Sequence, residues 1–134
     1  MPQGMAVFKW DDEIGPVVTA KTKGLTKGID STESMRVYGI VTLGETEELQ
    51  KPGFQSLSFD DFKLAVYYGG LSMHLKGQPS MVFLVLDLNE DPEIYRDALT
   101  EIATQIFLSS KDDEYKEMLP NLYKQIYRYA EMCA

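Results

Sequence analysis

Apolar side chains occupy both sides of the segment Met5 to Trp10, with Ala6, Phe8 and Trp10 on one side and Val7 on the other. A strand covered on both faces has this pattern, so the segment is expected inside a sheet. Asp11-Asp12-Glu13 and then Gly15-Pro16 form an acidic turn that returns the chain through Val17 and Val18, which predicts an opening β-hairpin. Val17 to Lys23 alternates less cleanly and turns polar. Lys21 and Lys23 project the same way there, as on an edge strand guarded against strand addition. Gly24 and Gly28 mark a flexible connection.

Asp30, with Glu33 three residues on, has the spacing of a capping box, and Met35, Tyr38, Val41 and Thr42 recur at helical spacing up to Leu43-Gly44. A helix is expected there, weakened by Gly39, followed by a solvated loop from Glu45 to Gly53. Phe54 to Phe59 sets Leu57 and Phe59 against Ser56 and Ser58, a one-sided strand. Asp60-Asp61 turns the chain into a further strand, Phe62 to Tyr68, which closes on Gly69-Gly70. Leu71, Met73 and Leu75 also alternate, and the pattern leaves open whether this run replaces one of the two strands before it. Met81 to Leu86 is apolar throughout, as expected of a strand at the sheet centre.

Asp91-Pro92 supplies a cap and a first-turn proline. Ile94, Tyr95, Ala98, Leu99, Ile102, Ala103, Ile106 and Phe107 then keep an i, i+3, i+4 rhythm. The rhythm resumes after Ser109-Ser110 with Tyr115, Met118, Leu119, Leu122, Tyr123, Ile126, Tyr127 and Ala130. Pro120 inside this second run predicts a kink near Glu117 or a break with a fresh start. The order is strand, strand, helix, three strands, helix, helix, a mixed α/β (α+β) fold. Over 134 residues with no repeat or composition shift it is read as one domain spanning 1–134.

The net charge of −8 would repel a phosphate backbone or an anionic lipid surface, so nucleic acid is not an expected partner. No apolar run reaches the roughly 18 residues of a membrane span, and Met1 to Met5 lacks the form of a secretion signal. The lone Cys133 suits a reducing compartment, and a cytoplasmic location is expected.

Tests for chemistry turn up no catalytic residue, cofactor or metal. Asp87, Asn89 and Asp91 have the opening spacing of a calcium loop, but the position that requires glycine is Pro92 and the bidentate glutamate position is Ala98. His74 is the only histidine, too few for zinc, and no Gly-x-Ser-x-Gly elbow accompanies it. Gly24-Leu25-Thr26-Lys27-Gly28 superficially suggests a phosphate loop, but it does not fit Gly-x-x-x-x-Gly-Lys-Ser/Thr, and Gly-x-Gly-x-x-Gly is absent as well. Asp11-Asp12, Glu47-Glu48, Asp60-Asp61 and Asp112-Asp113 fall in turns, loops or first helical turns, where capping and solvation explain them. Tyr115, Tyr123 and Tyr127 share the last apolar stripe, a core or interface pattern, and Tyr129 falls outside it.

With hairpin, helix, meander and two closing helices in order, the chain resembles a longin domain, over nearly its whole length. The opening Phe8-Lys9-Trp10-Asp11-Asp12-Glu13-Ile14-Gly15-Pro16-Val17-Val18 is similar to the Gly-Pro hairpin of longin domains in GTPase regulators such as folliculin and the nitrogen-permease-regulator proteins. The resemblance implies a five-stranded, mostly antiparallel sheet in the order 2-1-5-4-3, with one helix on one face and two on the other. It implies a non-enzymatic module that binds proteins: another longin or roadblock-type domain, a second copy as a homodimer, a SNARE segment or a small GTPase. Lacking coiled-coil heptads or an anchor after the domain, the chain looks like a free-standing longin, a type that occurs in archaea carrying relatives of trafficking proteins.

Two surfaces are then candidates for a partner. The first joins Val17, Val18, Thr19 and Ala20, within the second strand, to Met35, Tyr38 and Val41 of the first helix, where the resemblance places longin pairing. The second is the other edge, Gln55 to Phe59. The alternative function is a small-molecule sensor, with its ligand between the sheet and the first helix.

Overall fold

The two runs that read as apolar on both sides lie next to each other in the middle of the sheet. The computed structural model describes residues 2–11, 13, 15–25, 53–69, 74–75, 78–108 and 114–133. Its strands are β1 (Gly4–Asp11), β2 (Gly15–Lys21), β3 (Gly53–Ser58), β4 (Lys63–Tyr68), β5 (His74–Leu75) and β6 (Gln78–Leu86). They are followed by a 3-10 turn (Pro92–Tyr95) and by helices α1 (Arg96–Phe107) and α2 (Glu114–Cys133). The sheet runs β2-β1-β6-β4-β3 with every ladder antiparallel, and β5 pairs only with the start of β6.

Register divides the central side chains between two faces. Met5 opposite Leu84 and Val7 opposite Val82 point one way, and Ala6 opposite Phe83 and Phe8 opposite Met81 point the other. All eight are fully buried, as a central strand pair covered on both sides requires. On the first face the cluster continues through Ala65, Tyr67 and Leu86 into Leu99, Ile102 and Ile106 of α1 and Leu119, Leu122 and Ile126 of α2. Both closing helices therefore cover the same face. The second cluster joins Leu64, Val66, Val85, Phe62 and Leu25, with the Phe8 and Phe83 rings stacked at 4.4 Å between centroids. The helix predicted from Asp30 to Leu43 lies outside the described residues, as does the loop before Gly53.

Local sequence explains where elements start and stop. The hydroxyl of Thr22 accepts the Met5 N–H at 3.0 Å, and the Thr22 N–H donates to the Met5 carbonyl at 2.9 Å, closing β2 onto β1. A tight turn follows, with Leu25 N–H on the Thr22 carbonyl at 3.3 Å and Gly24 at φ 84°. Phe59 N–H donates to the Phe62 carbonyl at 2.9 Å, so Asp60-Asp61 makes a two-residue hairpin.

In three places the structure departs from the periodic pattern. The run Leu71 to Leu75 contributes only His74-Leu75 as strand among the described residues, and β6 begins earlier than its apolar core, at Gln78. The segment after Asp91 opens as a 3-10 turn, because the Asp91 carboxylate caps Glu93 N–H at 3.0 Å and buried Tyr95 is held near φ −96°, ψ 0°. Helix α2 runs through Pro120 without the break considered above. Pro120 stands on the exposed side of the helix, so its ring displaces no core side chain.

Candidate interaction edges

Among the described residues both ends of the sheet are strand edges, and hydrogen-bond parity fixes which backbone groups each presents. In an antiparallel ladder, residues that bond the neighbouring strand alternate with residues whose N–H and C=O point away. Thr22 bonds Met5, so the odd residues of β1 face β2. In the register beyond Val7, Val17 lies opposite Lys9, while Pro16 and Val18 lie opposite Trp10 and Phe8 and present their backbones outward.

This outward row on β2 is interrupted. Val7 lies opposite Ala20 but Phe8 lies opposite Val18, so Thr19 is an extra residue, a β-bulge. The Thr19 hydroxyl donates to the Val7 carbonyl at 3.3 Å. The bulge lets Ala20 pack on the helix-side cluster while Val18 packs on the opposite one, although only one residue separates them. Pro16 offers no outward donor, and the exposed Lys21 donates to the Leu25 carbonyl at 3.3 Å. A proline, a bulge and a charged side chain are three devices that blunt an edge. Val17, Val18, Thr19 and Ala20 are half-buried along this edge, and Met35, Tyr38 and Val41 lie outside the described residues.

The β3 edge lacks those devices. Phe59 bonds Phe62, so with the register Ser58 to Lys63 through Gly53 to Tyr68 the outward residues are Phe54, Ser56 and Ser58. The ladder is unbroken over six residues, and Gly53–Ser58 contains no ionisable side chain and no proline. Its helix side is held from above. Arg96 places its guanidinium 4.7 Å from the centre of the Phe54 ring and binds Glu93 at 2.8 Å, and Ser56 Oγ donates to the Glu93 carboxylate at 3.4 Å.

The acidic loop after β6 is occupied internally. Asp87 accepts from Gln3 Nε2 at 2.6 Å, Asp91 caps the 3-10 turn, and the Glu90 carboxylate takes the Asp87 N–H at 2.9 Å and the Tyr95 hydroxyl at 3.1 Å. Among the described residues no three His, Cys, Asp or Glu side chains are grouped to hold a metal ion. Nor does any buried side-chain nitrogen or oxygen among them lack a hydrogen-bond partner.

The tyrosines of α2 serve packing and anchoring. Tyr115 is buried, and Tyr123 donates its hydroxyl to the Pro2 carbonyl at 2.8 Å, tying the start of the chain to the helix. Burial raises the Tyr123 pKa, helped by neighbouring Tyr127 and by the Glu90 charge. Tyr129, outside the apolar stripe by spacing, packs partly against the core because Tyr95 meets it edge-on at 6.3 Å. The side chains of His74 and Trp10 lie outside the described set.

The edge residues that pattern reading missed are the bulge at Thr19 and the Arg96 brace over Phe54. The bulge left a signal, the imperfect alternation of Val17 to Lys23. The brace left none, since it depends on where α1 begins relative to β3. Among the described residues no helix is long and apolar enough to cross a membrane. No protein-family model and no curated protein matches the chain.

Proposed function

We propose that this chain is a non-enzymatic, longin-like protein–protein interaction module of the cytoplasm that regulates or scaffolds a small GTPase or a membrane-trafficking-like complex. The observation that carries the reading is the strand order. With the two-residue β5 set aside, β2-β1-β6-β4-β3 is the order 2-1-5-4-3 that the resemblance implies, with both closing helices on one face. A sheet closed this way keeps two edges, and edges are binding surfaces.

In this reading the partner docks along Val17, Val18, Thr19 and Ala20, together with Met35, Tyr38 and Val41 of the predicted helix. The bulge and Pro16 leave Val18 as the outward residue between them, so side-chain packing carries more of this contact than a continuous ladder does. A specific complex buries on the order of 1,200 Å² or more in total.

The test is retention of purified small GTPases from the same organism, loaded with GDP or with a GTP analogue, on the immobilised chain. At least one should be retained, and Val18→Pro, which removes an outward donor, should weaken retention while the circular dichroism spectrum is unchanged. Failure to retain any GTPase in either nucleotide state would overturn the GTPase assignment, and undiminished retention by Val18→Pro would overturn the β2 surface.

A further inference from the structure

We propose that β3 is the self-association edge of this protein, pairing antiparallel with β3 of a second copy about a two-fold axis through Ser56. The proposal builds on the reading of the chain as an interaction module and adds the edge, the occupant and the register.

Three observations carry it. The first is the contrast between the edges: β2 is blunted by Pro16, the Thr19 bulge and Lys21, whereas β3 presents Phe54, Ser56 and Ser58 in an unbroken row. The second is charge. A chain of net charge −8 that meets its own copy must do so where little net charge is brought together; Gly53–Ser58 carries none, and the Glu93 carboxylate beside Ser56 is paired with Arg96.

The third is self-complementarity. Only outward residues can form hydrogen-bonded pairs, so the register that uses all three sets Ser56 against Ser56 of the second copy and Phe54 against its Ser58. That arrangement makes about six interchain hydrogen bonds, two for each of three pairs. On the opposite face Gln55 meets Leu57 and Gly53 meets Phe59 of the second copy, so the small residue faces the large one. The Arg96–Phe54 stack and the Glu93–Ser56 bond hold the helix-side face of β3 in place through side chains, and among the described residues no strand pairs with its outer backbone.

Two paired six-residue strands bury less than the roughly 1,200 Å² of a standard interface, so the dimer is weak and concentration-dependent. Disulfide trapping therefore suits it. In a Cys133→Ser background, Ser56→Cys, Ser58→Cys and Val18→Cys are compared under mild oxidation, with circular dichroism confirming the fold of each. A hydrogen-bonded pair sets its Cα atoms about 5.5 Å apart, within disulfide range. Two Ser58 residues in this register are four positions apart along the strands, roughly 13 Å, and out of range.

Ser56→Cys should form a disulfide dimer at least tenfold faster than Ser58→Cys, and light scattering of the unmodified chain should show reversible dimer as concentration rises. Equal rates at the two serines would mean random collision and would overturn the proposal. So would trapping through Val18→Cys alone, or a monomer persisting to millimolar concentration. No GTPase enters this experiment, so its failure and that of the retention test are separable.

Discussion

Gly4→Ala sets two opposing effects against each other at the point where β2 closes onto β1. A Cβ at Gly4 would lie 2.8 Å from Thr22 Oγ1 and 2.9 Å from Leu25 Cδ1, against ordinary carbon contacts of about 3.5–4.0 Å. Thr22 cannot simply rotate aside, because its hydroxyl accepts the buried Met5 N–H, and an unsatisfied buried donor costs about 1–3 kcal/mol. Displacing Leu25, itself 2% exposed, is overpacking at a cost of about 1–3 kcal/mol. The two costs are alternatives, since relief by either movement spares the other. Against them stands a gain of about 0.4–1 kcal/mol from a less flexible unfolded chain. The net is a destabilisation centred on about 1.3 kcal/mol, or roughly 5–10 °C in Tm, and at most about 2.6 kcal/mol. Gly53→Ala is the internal control, because nothing lies within 4 Å of a Cβ there, and it should be neutral or slightly stabilising. Urea unfolding of the three proteins measures both effects. A Gly4→Ala midpoint equal to or above the parent's would show that the Thr22–Leu25 turn does not crowd the start of β1.

Deleting Thr19 removes the bulge yet keeps Ala20 opposite Val7 and Val18 opposite Phe8, so the fold should survive where a deletion in a regular strand would reverse every side chain beyond it. The flattened edge should raise self-association in light scattering, and a variant that unfolds or stays unchanged would contradict the bulge assignment. Tyr123→Phe removes the bond to the Pro2 carbonyl and should cost about 0.5–1.5 kcal/mol in urea unfolding, with faster hydrogen exchange at Gln3. Burial raises the phenol pKa of Tyr67, Tyr68 and Tyr123 above its ordinary value near 10, so the unfolded chain ionises first. Their contribution to stability is complete below about pH 10 and is lost as pH rises towards the folded-state values; tyrosinate absorbance should therefore rise together with loss of the circular dichroism signal.

Much of the sheet is legible in residue pattern because its centre leaves a two-sided imprint. Ala6 to Phe8 and Met81 to Leu86 are apolar at every position, and burial on both faces is the reason. The meander is legible through Asp60-Asp61, whose polar pair has room only in a tight turn. The ends of elements are harder to read, because they are set by tertiary contacts. Tyr95 is fixed by Glu90 and Tyr129, which makes the first turn after Asp91 3-10, and Pro120 is tolerated because it faces solvent. The alternation of Leu71, Met73 and Leu75 shows an extended tendency but carries no information about which strand it pairs with.

The candidate edges divide in the same way. That β2 is terminal could be read from its polar turn and lysines. Which of its backbone groups face outward could not, because parity depends on the Thr22–Met5 bond and on a bulge that shifts the register by one. The same limit hid the difference between the edges. Serines at Ser56 and Ser58 read as a solvent face, while the unbroken outward backbone row beneath them is a property of pairing with β4.

Residue-resolved amide hydrogen exchange, recorded on the free chain from dilute to concentrated solution, tests most directly whether the molecule works through its sheet edges. The amides of Ala6 to Phe8 and Val82 to Val85 should be the most protected at every concentration. Those of Phe54, Ser56 and Ser58 should exchange quickly when dilute and slow together as concentration rises. Protection gained only on the exposed surfaces of α1 and α2, or gained nowhere, would contradict it.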